Sequence, residues 1–295
     1  MRVLVTGASG LIGTALRHAL EARGDTVVAL GRAGGDPSWD PTDGTVRGDL
    51  SGFDAVVNLA GSGIGDHRWT PAYKAAIRAS RVNGTRALAE ALAVTASRPA
   101  VFVSGSAVGY YGNRGREELL DELSDPGDDF LAHVCRDWEA AALPAVDAGI
   151  RTAFIRTGVV LAPKGGVLAR MIPPFKLGLG GRIGRGNQYM SWITLADEVR
   201  AILHIVDGTL AGPVNLTGPH PATNETFTLE LGHVLHRPTR LPTPVFALKA
   251  ALGAELVESL MLHGQRAFPK ALEADGFEFT SITVAEALRS VLAGP

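Results

Sequence analysis

The sequence predicts an α/β fold in which a doubly wound parallel sheet is followed by a smaller, mainly helical C-terminal lobe. Short apolar runs of strand length alternate with segments whose apolar residues recur at helical spacing, which is typical of parallel sheets covered by helices. Hydrophobic residues make up 46% of the 295 residues but aromatic residues only 6%, so the chain can bury a large aliphatic core in one or two closely packed domains.

The first 32 residues hold the unit around which the chain is organised. Residues 2–6 and 26–30 predict buried strands, and helical spacing over 11–23 predicts a helix between them. Gly7 permits a tight turn, Gly10 lets the backbone approach a pyrophosphate, and Gly13 lets the helix pack closely on the strand. This Rossmann-type unit predicts a dinucleotide at the helix N-terminus, bound by Gly7, Ser9, Gly10, Leu11, Ile12 and Gly13.

The end of the second strand bears on which dinucleotide binds. An acidic residue there would hydrogen-bond the ribose hydroxyls of NAD, whereas an arginine pairs with the 2′-phosphate of NADP. Gly31 and Arg32 occupy this position, and Asp36 follows several residues later. We therefore expect Arg32 to favour NADP(H) over NAD(H); the alternative is that Arg32 is a solvated loop residue.

Charge and composition argue against several other classes of protein. The net charge of −2 leaves no basic surplus for nucleic acid, and no apolar run reaches the length of a membrane span. The N-terminus reads as a core strand rather than a signal peptide, and the single cysteine, Cys135, suits a reducing cytoplasm. His233 and His236 have no nearby cysteine or acidic residue, so no metal site is expected.

The glycine spacing after Thr6 resembles that of the short-chain dehydrogenase/reductase superfamily, and more specifically its extended and atypical epimerase-like branch. The resemblance implies that the ends of the predicted strands at 46–50, 54–61 and 151–156 also line the cofactor. The residues so implied are Asp49 and Leu50 beside the adenine, Leu59, Ala60 and Gly61 beside the ribose, and Thr157, Gly158 and Val159 at the nicotinamide amide, with Ser104 and Arg156 as further cofactor-binding residues.

The same resemblance identifies candidate catalytic residues. A predicted strand at 100–103 ends in Ser104-Gly105-Ser106, which resembles the Ser-Ser-Ser-x-x-x-Tyr-Gly strand end of the extended branch; the role of its third serine, which bonds the substrate oxygen, falls on Ser106. One additional residue before the Tyr-Gly pair leaves Tyr110 and Tyr111 as alternatives. Asn83, in a helix predicted over 71–96, matches the asparagine that holds a backbone kink and a water near the active site.

The Tyr-x-x-x-Lys pair of the superfamily is absent. In that pair the tyrosine transfers a proton, and the lysine lowers the tyrosine's pKa and holds the nicotinamide ribose. A helix is predicted at 130–147, but alignment on Glu139 places Leu131 and Cys135 at the two positions, where neither can do this work. The residues four before Lys74, Lys164, Lys176, Lys249 and Lys270 are Thr70, Val160, Ile172, Val245 and Arg266.

Several segments resemble one atypical subgroup of this branch, the epimerase-like proteins of bacteria and organelles that carry an extra C-terminal module, some of them labelled cell-division-inhibitor-like. These segments are 68–70, 130–139, 156–161, 174–181 and 191–193. We expect an NADP-binding domain at 1–160, which also takes in 194–216, and a substrate lobe and C-terminal module at 161–193 and 217–295. Met190 stands where sugar-nucleotide epimerases have a phosphate-binding arginine, which argues against such a substrate.

Two functions stay open. The first is an NADP(H)-dependent epimerase or reductase-like oxidoreductase acting on a small carbonyl or hydroxyl compound, with Ser106 polarising the oxygen. Its proton would come from Tyr110 or Tyr111, or from the more remote His67 or Lys74. The second is a non-catalytic NADP(H)-binding redox sensor or assembly protein, which the missing Tyr-Lys pair favours. A monomer or homodimer is expected, and an anionic substrate would suit the basic residues Arg170, Lys176, Arg182 and Arg185.

Overall fold

The structure is a computed structural model that describes residues 1–31, 37–40, 44–114 and 118–293. Arg32, the residue predicted to select NADP(H), lies outside the described residues, and so does Asp36.

The strands are, in chain order, β1 (Arg2–Thr6), β2 (Thr26–Leu30), β3 (Ser38–Asp40), β4 (Thr45–Arg47), β5 (Ala55–Asn58), β6 (Val101–Ala107), β7 (Arg151–Thr157), β8 (Val159–Leu161), β9 (Tyr189–Met190), β10 (Trp192–Thr194), β11 (Gly212–Leu216) and β12 (Ala222–Thr223). The helices are α1 (Leu11–Ala22), α2 (Pro71–Val94), α3 (Phe130–Ala141), α4 (Leu143–Asp147), α5 (Gly166–Lys176), α6 (Leu195–Asp207), α7 (Asn224–Leu235), α8 (Val245–Leu252), α9 (Ala254–Val257), α10 (Lys270–Ala274) and α11 (Val284–Leu292). A 3₁₀ turn spans Val108–Tyr111, and a π-helical turn spans Glu258–Leu262.

The main sheet consists of six parallel strands in the order β11-β7-β6-β5-β1-β2. The chain leaves β1 for β2 on one side and later returns as β5 on the other side of β1. In open α/β sheets such a reversal opens a crevice at the carboxyl ends of the strands, where ligands bind. The predicted doubly wound parallel sheet is thus confirmed, and its crevice lies beyond the ends of β1 and β5.

The predicted third strand at 46–50 is wrong in its extent and its place. Only the short strand β4 forms there, and it pairs antiparallel with β3 outside the main sheet. The chain turns directly afterwards because the Asp49 carboxylate accepts the N–H of Ser51 at 2.8 Å and Leu50 inserts its side chain into the core.

Helices cover both faces of the sheet. Leu16 and Ile202 bring α1 and α6 onto one face, and Leu88 and Ala145 bring α2 and α4 onto the other. The helix predicted over 130–147 is two helices, α3 and α4. Pro144 lies in the first turn of α4, and because proline has no N–H it can begin a helix but not continue one without losing a hydrogen bond.

The C-terminal lobe has a hydrophobic core of its own around Trp192 and Phe227, to which β8, α5, α7 and α11 contribute. α5 forms at the start of a glycine-rich stretch of this lobe, and it includes Pro173 and Pro174. Further along, the chain returns to β11 at the edge of the sheet, where Asn215 Nδ2 donates to the carbonyl oxygen of Phe268 at 2.9 Å. Beside it, Leu120 and Ala267 form an isolated parallel bridge.

Two kinds of feature are not found within the described ranges. None of the helices there is both long and apolar enough to cross a bilayer. No group of three His, Cys, Asp or Glu side chains among those residues is placed to hold a metal ion.

Candidate cofactor and active site

The turn after β1 is so tight that two of its glycines have no room for a side chain. Gly7 has a φ of +66°, which residues with a Cβ rarely adopt. A Cβ on Gly13 would stand 2.2 Å from the carbonyl oxygen of Gly7, so α1 can start this close to β1 only with glycine there. The N–H of Gly10 donates to the same oxygen at 2.9 Å and closes the turn.

α1 begins with free N–H groups. Gly10 is the N-cap residue and supplies no side-chain cap. In the part of the chain that the structure describes, no protein acceptor meets the N–H groups of Leu11, Ile12 and Gly13, and Ser9 and Gly10 are exposed. Free N–H groups and the positive end of the helix dipole favour an anion. These residues therefore fit the pyrophosphate of a dinucleotide.

A chain of hydrogen bonds fixes the neighbouring wall of the crevice. Thr6 Oγ1 donates to Asn58 Oδ1 at 2.6 Å, and it accepts the N–H of Leu59 at 3.2 Å. Asn58 Nδ2 and Trp138 Nε1 both donate to Thr85 Oγ1, at 2.7 and 2.9 Å. The turn after β5 is thereby held against the glycine turn. Sequence reasoning misses the roles of Thr85 and Trp138 because their hydrogen bonds join residues 27 and 53 positions apart.

The remaining residues predicted at the adenine and ribose differ in exposure. Asp49 and Gly61 are exposed, whereas the side chain of Leu50 lies in the core, so only its backbone can face the cofactor. The Arg81 guanidinium lies beside Gly61, 3.1 Å from the position of a Cβ there. Ser104 is fully buried in β6, and its hydroxyl has no hydrogen-bond partner among the described residues.

Arg156 has a different role from the predicted contact with cofactor. Its guanidinium is 3% exposed and forms a two-pronged ion pair with Glu139 of α3, at 2.9 and 3.0 Å. Nη1 donates to the Tyr111 hydroxyl and to the carbonyl oxygen of Glu122, both at 3.2 Å. Burial lowers the pKa of Arg156, but the hydrogen bonds and charge of Glu139 outweigh it, so the pKa lies above its usual value. Every guanidinium nitrogen has a protein acceptor, so Arg156 holds the neighbouring side chains in place and has no donor left for the cofactor.

Ser106 is bound to the same carboxylate. Its hydroxyl donates to Glu139 Oε1 at 2.7 Å. Ser106 and Arg156 are register partners in the β6–β7 ladder, which is why both reach Glu139. Because the Ser106 hydroxyl donates its hydrogen bond to Glu139, it must rotate before it can donate to a substrate oxygen.

Their hydroxyl groups distinguish Tyr110 from Tyr111. The Tyr111 hydroxyl is buried, donates to Asn215 Oδ1 at 2.6 Å and accepts from Arg156, and burial raises the pKa of Tyr111 to about 12. Tyr110 is partly exposed, and its ring centre lies 3.5 Å from the Arg156 guanidinium carbon. No described residue forms a hydrogen bond with its hydroxyl. Of the two tyrosines, Tyr110 has the phenol proton that a substrate can reach.

The residues at the missing Tyr and Lys positions pack against the 3₁₀ turn. Leu131 Cβ and Cys135 Sγ lie 3.4 and 3.7 Å from where a Cβ on Gly109 would stand. Cys135 is buried, and burial raises its pKa to about 12, so it stays a neutral thiol. This position therefore supplies no charge to a tyrosine.

Asn83 lies on the exposed side of α2, away from the predicted catalytic position. Two helical positions correspond to a rotation of about 200°, so the residues on either side, Arg81 and Thr85, face the opposite way. Thr85 bonds Asn58, and Arg81 donates to the carbonyl oxygen of Ser62 at 2.9 Å. The structure thus replaces Asn83 with Arg81 and Thr85 as the residues of α2 that face the site.

The end of β7 uses its polar groups within the protein. The N–H groups of Gly158 and Val159 donate to Leu216 O at 3.0 Å and Ser191 O at 2.7 Å. These residues can offer a nicotinamide their carbonyl oxygens and surfaces, but not their N–H groups.

Thr157 leads to a buried acid that sequence reasoning misses. Its hydroxyl donates at 2.8 Å to one carboxyl oxygen of Glu198, whose other oxygen has no partner in the described chain. Burial raises the pKa of Glu198 to about 8. Glu198 is thus mostly protonated at neutral pH.

Comparison with known families shows to which family the chain belongs. The model of the NAD dependent epimerase/dehydratase family matches residues 3–216, a range that holds the glycine turn, Ser106, Tyr110 and Arg156. The chain belongs to this family. Residues 243–291, from just before α8 to near the end of α11, match a domain of unknown function, DUF1731.

Three relatives extend the match over both lobes. An epimerase family protein of Mycobacterium leprae is 47% identical over 292 residues, which are 97% of this chain and 94% of that protein. The crystal structure of human epimerase family protein SDR39U1 with NADPH is 34% identical, covers 100% of both chains and has a TM-score of 0.92. A nucleoside-diphosphate sugar epimerase structure from Corynebacterium glutamicum is 38% identical with a TM-score of 0.80, and covers 99% of this chain and 58% of that one.

These comparisons confirm the predicted atypical epimerase-like subgroup and the Rossmann-type fold with its C-terminal helical region. The protein is an NAD(P)-binding member of the epimerase family, similar to SDR39U1.

Proposed function

We propose that this epimerase family member is an NADP(H)-dependent oxidoreductase or epimerase that acts on a small carbonyl or hydroxyl compound, with Tyr110 as its proton-transfer residue. The position of Tyr110 carries the proposal. Its ring lies on the Arg156 guanidinium, and its hydroxyl has no hydrogen bond to a described residue. A held ring with a free phenol proton is what general acid–base catalysis requires.

NADP(H) supplies or accepts a hydride when bound, and the residues present fit it. The N–H groups of Leu11, Ile12 and Gly13 suit the pyrophosphate. The preference for NADP(H) rests on Arg32 and on the NADPH in the human relative's crystal structure.

In this proposal Arg156 orients Tyr110 but does not hold the nicotinamide ribose as the lysine does elsewhere, because each of its nitrogens already has a protein acceptor. Both carboxyl oxygens of Glu139 bind one edge of the guanidinium, and the guanidinium holds the Tyr110 ring by a cation–π contact. Ser106 turns its hydroxyl from Glu139 toward the substrate oxygen. Tyr110 then donates a proton to that oxygen, or accepts one in the reverse direction.

The test is Tyr110→Phe, which removes only the phenol oxygen. We expect kcat to fall by about 10²- to 10⁴-fold in a carbonyl-substrate screen that follows NADPH absorbance. NADPH affinity, measured by calorimetry, should not change. Tyr111→Phe is the matched control, because it removes a hydroxyl with a structural role. It should lower the free energy of unfolding and leave kcat close to that of wild type. Equal turnover by wild type and Tyr110→Phe would contradict the assignment.

A second candidate is a non-catalytic NADP(H)-binding sensor or assembly protein. Two observations favour it. Leu131 and Cys135 provide no charge, and the Ser106 hydroxyl donates its hydrogen bond to Glu139 rather than toward the crevice. Tight NADPH binding without turnover of any carbonyl compound would support this candidate over the enzyme.

Sugar nucleotides, suggested by the name of the C. glutamicum structure, are not part of the proposal. Met190, at the position of the phosphate-binding arginine, packs against the apolar core around Trp192. A thioether cannot replace the two parallel N–H donors that an arginine offers to phosphate.

A further inference from the structure

Arg266 lies where the C-terminal lobe meets the Rossmann unit, and its backbone is fixed there. Leu120 N donates to the Arg266 carbonyl oxygen at 3.0 Å, and Ala267 N donates to Ser191 Oγ at 3.0 Å. The adjacent Gln265 donates through Nε2 to the carbonyl oxygen of Gly112 at 2.8 Å, two residues beyond Tyr110. These contacts hold the backbone of residues 265–267 against Leu120, Ser191 and the segment that follows Tyr110.

Aromatic rings, and no acidic residue, hold the Arg266 side chain. Its guanidinium carbon lies 4.8 Å from the ring centre of Tyr189 and 5.8 Å from that of Phe268. Across the described residues it has no hydrogen bond or ion pair, and its Nε is buried without an acceptor. The buried Nε does not itself reach an anion, but the two Nη groups of Arg266 also lack acceptors among the described residues and are free to donate to one.

Three other arginines have protein partners of their own. Arg156 pairs with Glu139, and Arg200 pairs with Asp197 at 2.8 Å. Arg81 gives its hydrogen bonds to backbone carbonyl oxygens.

The basic residues predicted to attract an anionic substrate are also unsuitable. Arg170 already pairs with Asp66 at 2.9 Å, and the others are exposed, namely Lys176, Arg182 and Arg185. Arg266 instead combines partial burial with free donors.

We propose that Arg266 binds an oxyanion group of the substrate, a carboxylate or a phosphate. This rests on the proposed function and adds the class of its substrate, a small carbonyl or hydroxyl compound that carries such a group. The guanidinium plane is oriented by stacking, and it offers parallel N–H donors that match two oxygens of the anion. An ammonium group would keep the charge but lose the stacking and the paired donors.

The test measures anion binding and does not need the natural substrate. Inorganic phosphate and propanoate are titrated by calorimetry, at constant ionic strength, into protein saturated with NADPH, so that the N-terminus of α1 is filled. We expect saturable binding by wild type, an affinity at least tenfold lower for Arg266→Gln, and an intermediate affinity for Arg266→Lys. Arg86→Gln, the same change of charge at an exposed residue of α2, is the control and should match wild type. The anion that binds more tightly identifies the group.

Three outcomes would overturn the proposal: no saturable binding by wild type, equal affinities in wild type and Arg266→Gln, or loss of NADPH affinity in Arg266→Gln. The last would assign the guanidinium to the cofactor. If Arg266→Gln does not fold, Arg266→Lys must still bind more weakly than wild type. Failure of the proposed function looks different, because NADPH then does not bind or Tyr110→Phe turns over normally. In that case the anion site is tested in nucleotide-free protein, by comparing the anion affinities of wild type and Arg266→Gln.

Discussion

The two sides of the candidate site are built by different means. On the cofactor side, the β1–α1 turn works through its backbone, and the absence of side chains at Gly7 and Gly13 brings the helix start to the strand. On the chemical side, Tyr110 depends on a network of side chains from three separate elements, which meet at Arg156. The first device is local in sequence. The second exists only after the sheet and α3 have packed.

Gly13→Ala should have the largest effect on NADPH affinity, because it fills the space that lets α1 start close to β1. Its methyl group would meet the Gly7 carbonyl oxygen at 2.2 Å, and backbone atoms cannot move aside cheaply. We expect NADPH affinity to fall by about 100-fold or more and the free energy of unfolding to fall by roughly 1–3 kcal/mol. Gly109→Ala adds the same methyl group on the chemical side, 3.4 Å from its nearest neighbour, and should change NADPH affinity by no more than about twofold. Calorimetry and urea denaturation check both variants; equal losses would remove the distinction.

Glu139→Gln should have the next largest effect on NADPH affinity, because it breaks the side-chain network that meets at Arg156. The variant leaves the buried Arg156 charge without a carboxylate, which typically costs about 3–5 kcal/mol in the free energy of unfolding. NADPH affinity should fall less than in Gly13→Ala. The matched control is Asp66→Asn, which breaks a pair of the same 2.9 Å length whose side chains are 53% and 64% exposed. There the loss should stay below about 1 kcal/mol by urea denaturation. If both variants lose the same stability, burial does not set the strength of these pairs.

The contrast also explains which parts of the molecule the sequence predicts. Parallel strands appear as apolar runs, and the glycine turn appears as a fixed spacing, because both signals lie within a few neighbouring residues. The prediction of a strand over 46–50 is wrong at its end because Leu50, an apolar residue there, is buried in the core without being part of a strand. α5 was missed because Pro173 and Pro174 normally end helices.

The active site was harder to predict because its contacts join distant parts of the chain. Arg156 lies 17 residues from Glu139 and 45 from Tyr111, and no local pattern links them. The choice between Tyr110 and Tyr111 likewise depends on which hydroxyl reaches Asn215, a partner 104 residues away. Ser106 was identified by its strand-end motif, but its bond to Glu139 was not.

Glu198→Gln gives the smallest effect at any one pH, and it extends the comparison to two acids near the end of β7. Glu139 has an arginine partner, whereas Glu198 is fully buried and, among the described residues, is bonded only by the Thr157 hydroxyl. The pKa of Glu198 rises from the ordinary 4.5 to about 8. Between these values the folded protein holds a proton that the unfolded chain releases, so the free energy of unfolding falls by up to about 1.4 kcal/mol per pH unit as pH rises.

Below pH 4.5 this contribution is fully present, and above about pH 8 it is lost. Glutamine keeps the shape and still accepts from Thr157 but cannot ionise. The stability of Glu198→Gln relative to wild type should therefore increase by about 2 kcal/mol between about pH 5.5 and about pH 7.5. Urea denaturation of both proteins at the two pH values measures this difference, and the other titrating groups cancel because both proteins contain them. Parallel pH profiles would mean that Glu198 is already ionised at neutral pH and has an unseen cationic or water partner, as Glu139 has Arg156.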